Sequence, residues 1–279
     1  MGANTKAIHA RMKSVDSTRH ITKAMQLVAS SKINKAVRRM EDSRFYRSVM
    51  LEAFSALGAE KCRYTQHRDR KIPALYVIIA GDRGLAGGYN SQIFRSSDIL
   101  INPGDKILPI GKRAVDRYSR RGMCVTDRFV SAEDFSSEDC AEAARIIVDL
   151  YDREEISSVS IISTRFVSML NQTPDITYLL PLNLRQEMQQ IEVKPVQYEF
   201  EPNAEEVLNA VIPAYLAGVL YSCTAESYAS EVAARRSAMD TATKNADEML
   251  AQLSLDYNRA RQSAITQEIT EIIAGAEAQ

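Results

Sequence analysis

The residues most able to do chemistry by type and spacing are Gly81-Asp82-Arg83-Gly84-Leu85-Ala86-Gly87-Gly88-Tyr89-Asn90, a glycine-rich turn that follows the apolar run Ala74 to Ala80. A tight turn between a strand and a helix N-terminus can present amide donors to a pyrophosphate. The spacing does not fit that use: Gly81, Gly84, Gly87 and Gly88 do not make GxGxxG, no GK[ST] follows, and no acidic residue clearly ends a following strand to hold a ribose. The other reading is that the glycines permit a tight strand-to-helix turn with close packing, with Asp82 and Arg83 as a local ion pair. Of the three histidines, His9 and His20 fall on the first helical segment and His67 in a basic loop, so no nucleophile relay or metal cluster assembles. Cys62, Cys124, Cys140 and Cys223 are widely scattered, form no CxxC pair, and suit buried thiols in a reducing compartment. Catalysis by this chain alone is unsupported, and neither a cofactor nor a metal is expected.

The elements that would carry these residues are of two kinds. The chain of 279 residues is 45% hydrophobic and 25% charged, the composition of a folded protein that could hold one large domain or two ordinary ones. Its net charge of -1 hides an asymmetry. Lys6, Arg11, Lys13, Arg19, Lys23, Lys32, Lys35, Arg38, Arg39, Arg44 and Arg47 face only Asp16, Glu41 and Asp42 in the first fifty residues, whereas acidic residues dominate after Asn203. Between Asn4 and Leu57 there is neither Pro nor Gly, and Ile8, Met12, Val15, Thr22, Met25, Val28 or Ala29, Ile33, Val37 and Met40 mark one side at helical spacing. The longest apolar run, Val211 to Leu220, contains Pro213 and is too short to span a bilayer.

From Asn203, capped with Glu206 three residues on, the C-terminal segment reads as one helix of roughly 100 Å. Val232, Arg235, Met239, Ala242, Ala246, Met249 and Leu253 step by three and four and predict a narrow seam for a partner helix. Two successive steps of four, Met249 to Leu253 to Tyr257, then predict a stutter before Ala260 and Ala264. The basic first helix is the natural antiparallel partner of the acidic last one. A nucleic-acid role for the basic run is not favoured, because its charges ring the helix and lack interleaved aromatics.

Between the two helices the period changes. Ala74 to Ala80 predicts a strand buried on both faces. Lys106 to Ile110 reads as a second strand, and Lys112 to Arg121 as a helix closed by Gly122. Ser137 to Glu155 reads as an amphipathic helix, Ser158 to Phe166 as a strand and Thr177 to Leu182 as another, with Pro195 to Pro202 a linker. The alternation predicts an α/β doubly wound sheet. The domain boundaries are residues 1–58 for the N-terminal helix, 70–195 for the globular part and 203–279 for the C-terminal helix.

Ile21-Thr22-Lys23-Ala24-Met25, the turn Asp82 to Asn90, and Tyr257-Asn258-Arg259-Ala260-Arg261-Gln262-Ser263-Ala264-Ile265-Thr266-Gln267-Glu268-Ile269-Thr270-Glu271-Ile272 together resemble the signatures of the gamma subunit family of F-type ATP synthases. The resemblance spans the chain. It implies an antiparallel coiled coil of the two terminal helices, a central Rossmann-like domain that binds no nucleotide, and a mechanical function as the rotor shaft coupling proton flow to ATP synthesis or hydrolysis. The partners it implies are the alpha and beta subunits of the catalytic ring, the epsilon subunit and the membrane ring of c subunits. Carried over, Met25, Arg235, Gln262, Thr266 and Glu268 would meet the catalytic ring, while Tyr198 and Glu201 would meet the membrane ring. The place implied is the cytoplasmic face of a bacterial inner membrane. Two positions depart from the family pattern: Ala86 stands where many members have Cys, and Arg236 where an apolar residue is common. Met188 to Pro202 lacks the cysteine-bearing insertion of the chloroplast branch, so thiol control of that kind is not expected. The alternative class is a nucleotide-binding enzyme with a helical oligomerisation arm.

Overall fold

The computed structural model describes residues 3–56, 63–69, 71–182 and 204–277. The chain divides into two compact units, Met1–Ser30 with Arg235–Gln279, and Ser31–Ala234. Helix α1 (Ala3–Ala56) opens the chain and helix α5 (Ala204–Glu277) closes the described part of it, continuing through Pro213. Between them lie β1 (Ala74–Ile79), α2 (Tyr89–Leu100), β2 (Lys106–Ile110), α3 (Lys112–Tyr118), α4 (Ser137–Asp152), β3 (Ser158–Phe166) and β4 (Gln172–Leu180). The fold is mixed α/β.

In the larger unit the strands form one sheet in the order β2-β1-β3-β4. β1 pairs in parallel with β2 and with β3, while β3 pairs antiparallel with β4. Alternation along β1 explains why its run is apolar throughout. Leu75, Val77 and Ile79 enter a cluster with Ile147 and Tyr151 of α4 and Leu216 and Val219 of α5, whereas Ile78 joins Ile93 of α2 and Ala114 and Tyr118 of α3. Both faces of the strand are thus dry, as a central parallel strand requires.

Local chemistry sets the boundaries. Ser136 caps α4 by accepting from the Asp139 amide at 3.2 Å while Asp139 accepts from the Ser136 amide at 2.8 Å, so each end of the box fills a donor the helix leaves open. A 3₁₀ turn over Ser119–Arg121 extends α3, and Gly122, at φ 66°, ends it in the left-handed conformation that favours glycine. The strand expected at Thr177 to Leu182 begins earlier, at Gln172, because β3 supplies partners as far as Phe166 opposite Gln172. Pro174 and Asp175 read as breakers in isolation, but β4 is an edge strand of this sheet, where proline is tolerated.

In the smaller unit α1 and α5 run antiparallel. Rising positions on α1 meet falling positions on α5: His9 lies beside Tyr257, Arg19 beside Asp247, Thr22 beside Thr243 and Gln26 beside Asp240. The α5 seam differs from the one expected. Met239, Thr243, Ala246 and Leu253 are buried and Leu250, Tyr257, Ala260 and Ala264 half-buried, while Met249 is 44% exposed. These positions alternate steps of four and three without interruption, so the stutter placed at Met249 is absent. On α1 the same rule selects Thr5, Ile8, Met12, Val15, Arg19, Thr22, Gln26 and Ala29, with Ala29 buried and Val28 outside.

Candidate functional site

The glycine-rich turn is built around Asp82. Its Oδ1 accepts from the amides of Ala132 at 2.8 Å and Lys112 at 3.2 Å, and its Oδ2 accepts from the amide of Glu133 at 3.0 Å and the hydroxyl of Ser131 at 3.1 Å. The Asp82 carboxylate is thus a cap on the 131–133 loop and on the first residue of α3. A carboxylate with several backbone donors is a strong, oriented anchor. Asn90 completes the turn, accepting from the Gly81 amide at 2.9 Å and donating to the Arg83 carbonyl at 3.2 Å.

The glycines differ in what they do. Gly87 has φ 58°, a conformation that disfavours a side chain, and Gly111 has φ 91° with the Ala80 carbonyl oxygen where its Cβ would stand. Gly88 has an ordinary φ of -83°, and a Cβ there would meet only Gln92 Nε2 at 3.7 Å. Of this adjacent pair, backbone geometry thus calls for glycine at Gly87 and not at Gly88. Leu85 takes φ 62° and is 65% exposed.

The same loop is held from its other side by α1. Arg39 donates through Nη1 to the Glu133 carbonyl at 2.9 Å, through Nη2 to the Phe135 carbonyl at 2.6 Å and through Nε to the Tyr221 hydroxyl at 3.0 Å, with its guanidinium over the Tyr221 ring. Lys32 reaches the Glu133 carboxylate at 2.5 Å. Burial tends to raise the Glu133 carboxyl, but hydrogen bonds from Lys32 and Tyr228, with the Lys32 charge, outweigh it and hold the group below its ordinary range. Lower on α1, Arg44 and the Phe166 amide both reach Glu226 Oε1, at 2.5 and 2.9 Å. Sequence reading had treated these basic residues only as a charge surplus. A guanidinium spaced to fork between two carbonyls nearly a hundred residues away leaves no local signal.

In the smaller unit the seam carries polar layers. Thr22 and Thr243 share a hydroxyl contact of 2.9 Å, Gln26 donates to Asp240 at 2.7 Å, and Arg19 donates to Asp247 at 3.3 Å. The Asp240 carboxyl is lowered, first by its hydrogen bond with Lys244. Met25 stands half-buried on the flank of this seam, next to Gln26, and Arg235 is half-buried on α5. Gln262 and Thr266 are exposed one helical turn apart and, with Arg259 and Thr270, share one shallow strip of α5; Glu268 is exposed outside it. Tyr198 and Glu201 lie outside the described residues, as do Cys62 and the Met188 to Pro202 segment. Cys140 and Cys223 are buried, and burial pushes their thiols up to about 12 and about 11, so neither is a ready thiolate. Among the described residues no group of acidic, histidine and cysteine side chains could hold a metal, and no helix is long and apolar enough to cross a membrane.

These features define a class: a mixed α/β protein with two very long helices, in which the acid of the glycine-rich turn is engaged by the chain's own 131–133 loop and by the start of α3. Comparison with known proteins makes the class specific. The family model described as ATP synthase matches residues 4–279. The ATP synthase gamma chain of Ruminiclostridium cellulolyticum is 38% identical, the match covering 100% of this chain and 99% of the relative. Among solved structures, the Tetrahymena thermophila mitochondrial ATP synthase central stalk and c-ring contains a chain 26% identical, with a TM-score of 0.59, covering 80% of this chain and 99% of that one. A chain of the Euglena gracilis mitochondrial ATP synthase in rotational state 3, 19% identical, matches the fold with a TM-score of 0.69 over 100% of this chain and 95% of that one. The chain belongs to the family of ATP synthase gamma chains.

Proposed function

We propose that this chain is the central rotor shaft of an F-type ATP synthase, carrying torque between a membrane ring of c subunits and a catalytic ring of alpha and beta subunits. The observation that carries this reading is the end of α5. Beyond Leu253 the seam thins to half-buried Tyr257, Ala260 and Ala264, yet Ile265, Ile269, Ile272 and Ile273 remain about half exposed or more. Large apolar side chains on a helix that no other described element covers suit enclosure by partner subunits. The active sites then lie on beta, and the chain itself is non-catalytic. In this reading the helices form an antiparallel coiled coil, residues 70–195 a Rossmann-like, doubly wound domain between helical segments 1–58 and 203–279.

Met25, Arg235, Gln262, Thr266 and Glu268 meet the catalytic ring, Tyr198 and Glu201 the membrane ring, and the globular part receives epsilon. The complex sits on the cytoplasmic face of a bacterial inner membrane, in keeping with bacterial relatives. The glycine spacing, which makes neither GxGxxG nor GK[ST], argues against the alternative of a nucleotide-binding enzyme. Mixing the purified chain with alpha and beta subunits tests both readings: ATPase activity that depends on this chain, with no saturable ATP or NAD binding by the chain alone, is expected. Saturable nucleotide binding without any effect on alpha and beta would replace the shaft with the enzyme.

A further inference from the structure

Open α/β sheets receive ligands in the crevice outside the carboxyl ends of the strands, where neighbouring connections diverge. Here that place lies between β1 and β3, since the chain leaves β1 toward β2 and returns to β3 on the other side. A turn of α5 fills it. The Thr164 amide, near the end of β3, donates to Ser227 Oγ at 3.0 Å, and Tyr89, at the start of α2, donates its hydroxyl to the Ser227 carbonyl at 2.9 Å. One turn further on, Glu231 is only 2% exposed, and it lies against Gly81, just past β1. A Cβ at Gly81 would stand 2.6 Å from Glu231 Cδ and 2.8 and 3.0 Å from its two carboxyl oxygens, closer than side-chain carbons come. Burial, and next the charge of Glu231, raise the Tyr89 hydroxyl well above its usual range, so that hydroxyl stays protonated as the donor to Ser227.

We infer that Glu231, seated on the bare backbone of Gly81, is a positioning residue that keys α5 into the sheet at one rotation and one register. The inference rests on the shaft reading. A buried carboxylate costs several kcal/mol of desolvation and is a poor device for stability alone, but it fits a contact that must admit a single setting. Each residue of an α-helix turns by about 100° and rises about 1.5 Å. Slip of α5 by one residue would carry Glu231 off the bare backbone of Gly81 and break both Ser227 bonds. Torque applied to the sheet therefore reaches α5 without lost motion. The first glycine of the turn is required by the shaft helix and not by a nucleotide.

The test uses the assembled complex. Gly81→Ala should lower ATP synthesis per proton gradient several-fold more than it lowers ATP hydrolysis, and weaken hydrogen-exchange protection across residues 225–234. Glu231→Asp, which retracts the carboxylate by one methylene, should restore most of both in the Gly81→Ala background. Tyr89→Phe, which adds no bulk, should weaken protection over the same residues and lower coupling with complex yield unchanged. A silent Gly81→Ala, a failure of Glu231→Asp to restore it, or normal coupling in Tyr89→Phe despite lost protection would overturn the inference. Failure of the shaft reading would look different: the unaltered chain would then support no coupled activity, while the exchange pattern could still report the seating.

Discussion

The buried Thr22–Thr243 pair offers a quantitative test of what holds the helix seam in register. The two hydroxyls lie 2.9 Å apart, Thr22 Oγ1 is also 3.0 Å from the Arg19 carbonyl, and Thr243 Oγ1 is 2.8 Å from the Met239 carbonyl. Two protons thus serve three contacts. In Thr22→Val the remaining Thr243 hydroxyl still donates to the Met239 carbonyl, so it loses a partner but is not orphaned. The expected cost is about 1 kcal/mol, a net hydrogen bond, and not the ~3 kcal/mol at the upper end for an unsatisfied buried group. Thr243→Val should cost the same by the same argument. The double variant puts two branched apolar side chains of matching shape face to face, and removing both partners of a hydrogen bond is nearly neutral. The double change should therefore cost well under the sum of the singles, with a coupling of about 1 kcal/mol. Hydrogen exchange of the full chain at amides 18–30 and 239–250 reads these numbers locally, which suits a chain of two units better than a global unfolding curve. Strict additivity, or a single variant costing as much as an orphaned group, would refute the shared-proton reasoning. The double variant carries a further expectation. An apolar layer repeated along a heptad seam no longer distinguishes one register from the next, as a buried polar pair does, so protection should become uneven along α1 even where stability is kept.

Arg39→Lys keeps the charge but loses the fork to the Glu133 and Phe135 carbonyls, so exchange at residues 131–135 should quicken by about 1.5–3 kcal/mol, the range for hydrogen bonds to charged groups, while α4 stays protected. Gly87→Val should impair co-purification with the catalytic subunits because of its positive φ, whereas Gly88→Ala should assemble normally; equal effects would show that the turn is not set by backbone geometry. The Lys32–Glu133 pair depresses the Glu133 carboxyl, so its stabilisation is complete at neutral pH and fades as pH falls through a value below about 4.5. Exchange at residues 131–135 should differ between the natural chain and Lys32→Met at pH 7 and converge in acid; a constant difference across pH would remove the ion pair as the cause. Met25→Lys places an ammonium on the half-buried flank of the seam, where a partner's carboxylate would meet it in some angular positions and not others; reduced synthesis per proton gradient at normal complex yield is expected, and low yield with normal coupling would make Met25 ordinary packing.

What could be read ahead of the structure follows from what periodicity measures. β1 and β3 announced themselves because both their faces are dry, and α1 because nothing in it breaks a helix. The seam of α5 departs from the expected one at two positions, since those that face α1 are Thr243 and Leu250 in place of Ala242 and Met249. A threonine scores as polar in any pattern, and only its contact with Thr22 allows it to be buried. Taking Ala242 in place of Thr243 carries the heptad repeat on to Met249 in place of Leu250, and so puts at Met249 a stutter that the burial pattern there does not have. β4 was cut short by the same logic, since Pro174 breaks a strand only when both of its edges are paired. The site hid more thoroughly. Asp82 binds amides some fifty residues away, Arg39 binds carbonyls some ninety-five away, and Glu231 fits a glycine one hundred and fifty away, all through groups that every residue carries or, at Gly81, through the absence of a side chain. Backbone partners have no sequence, so no motif can encode them. Gly81, one of four glycines in a turn with no recognisable spacing, is therefore legible only once α5 lies across it with a distant acid against its bare backbone.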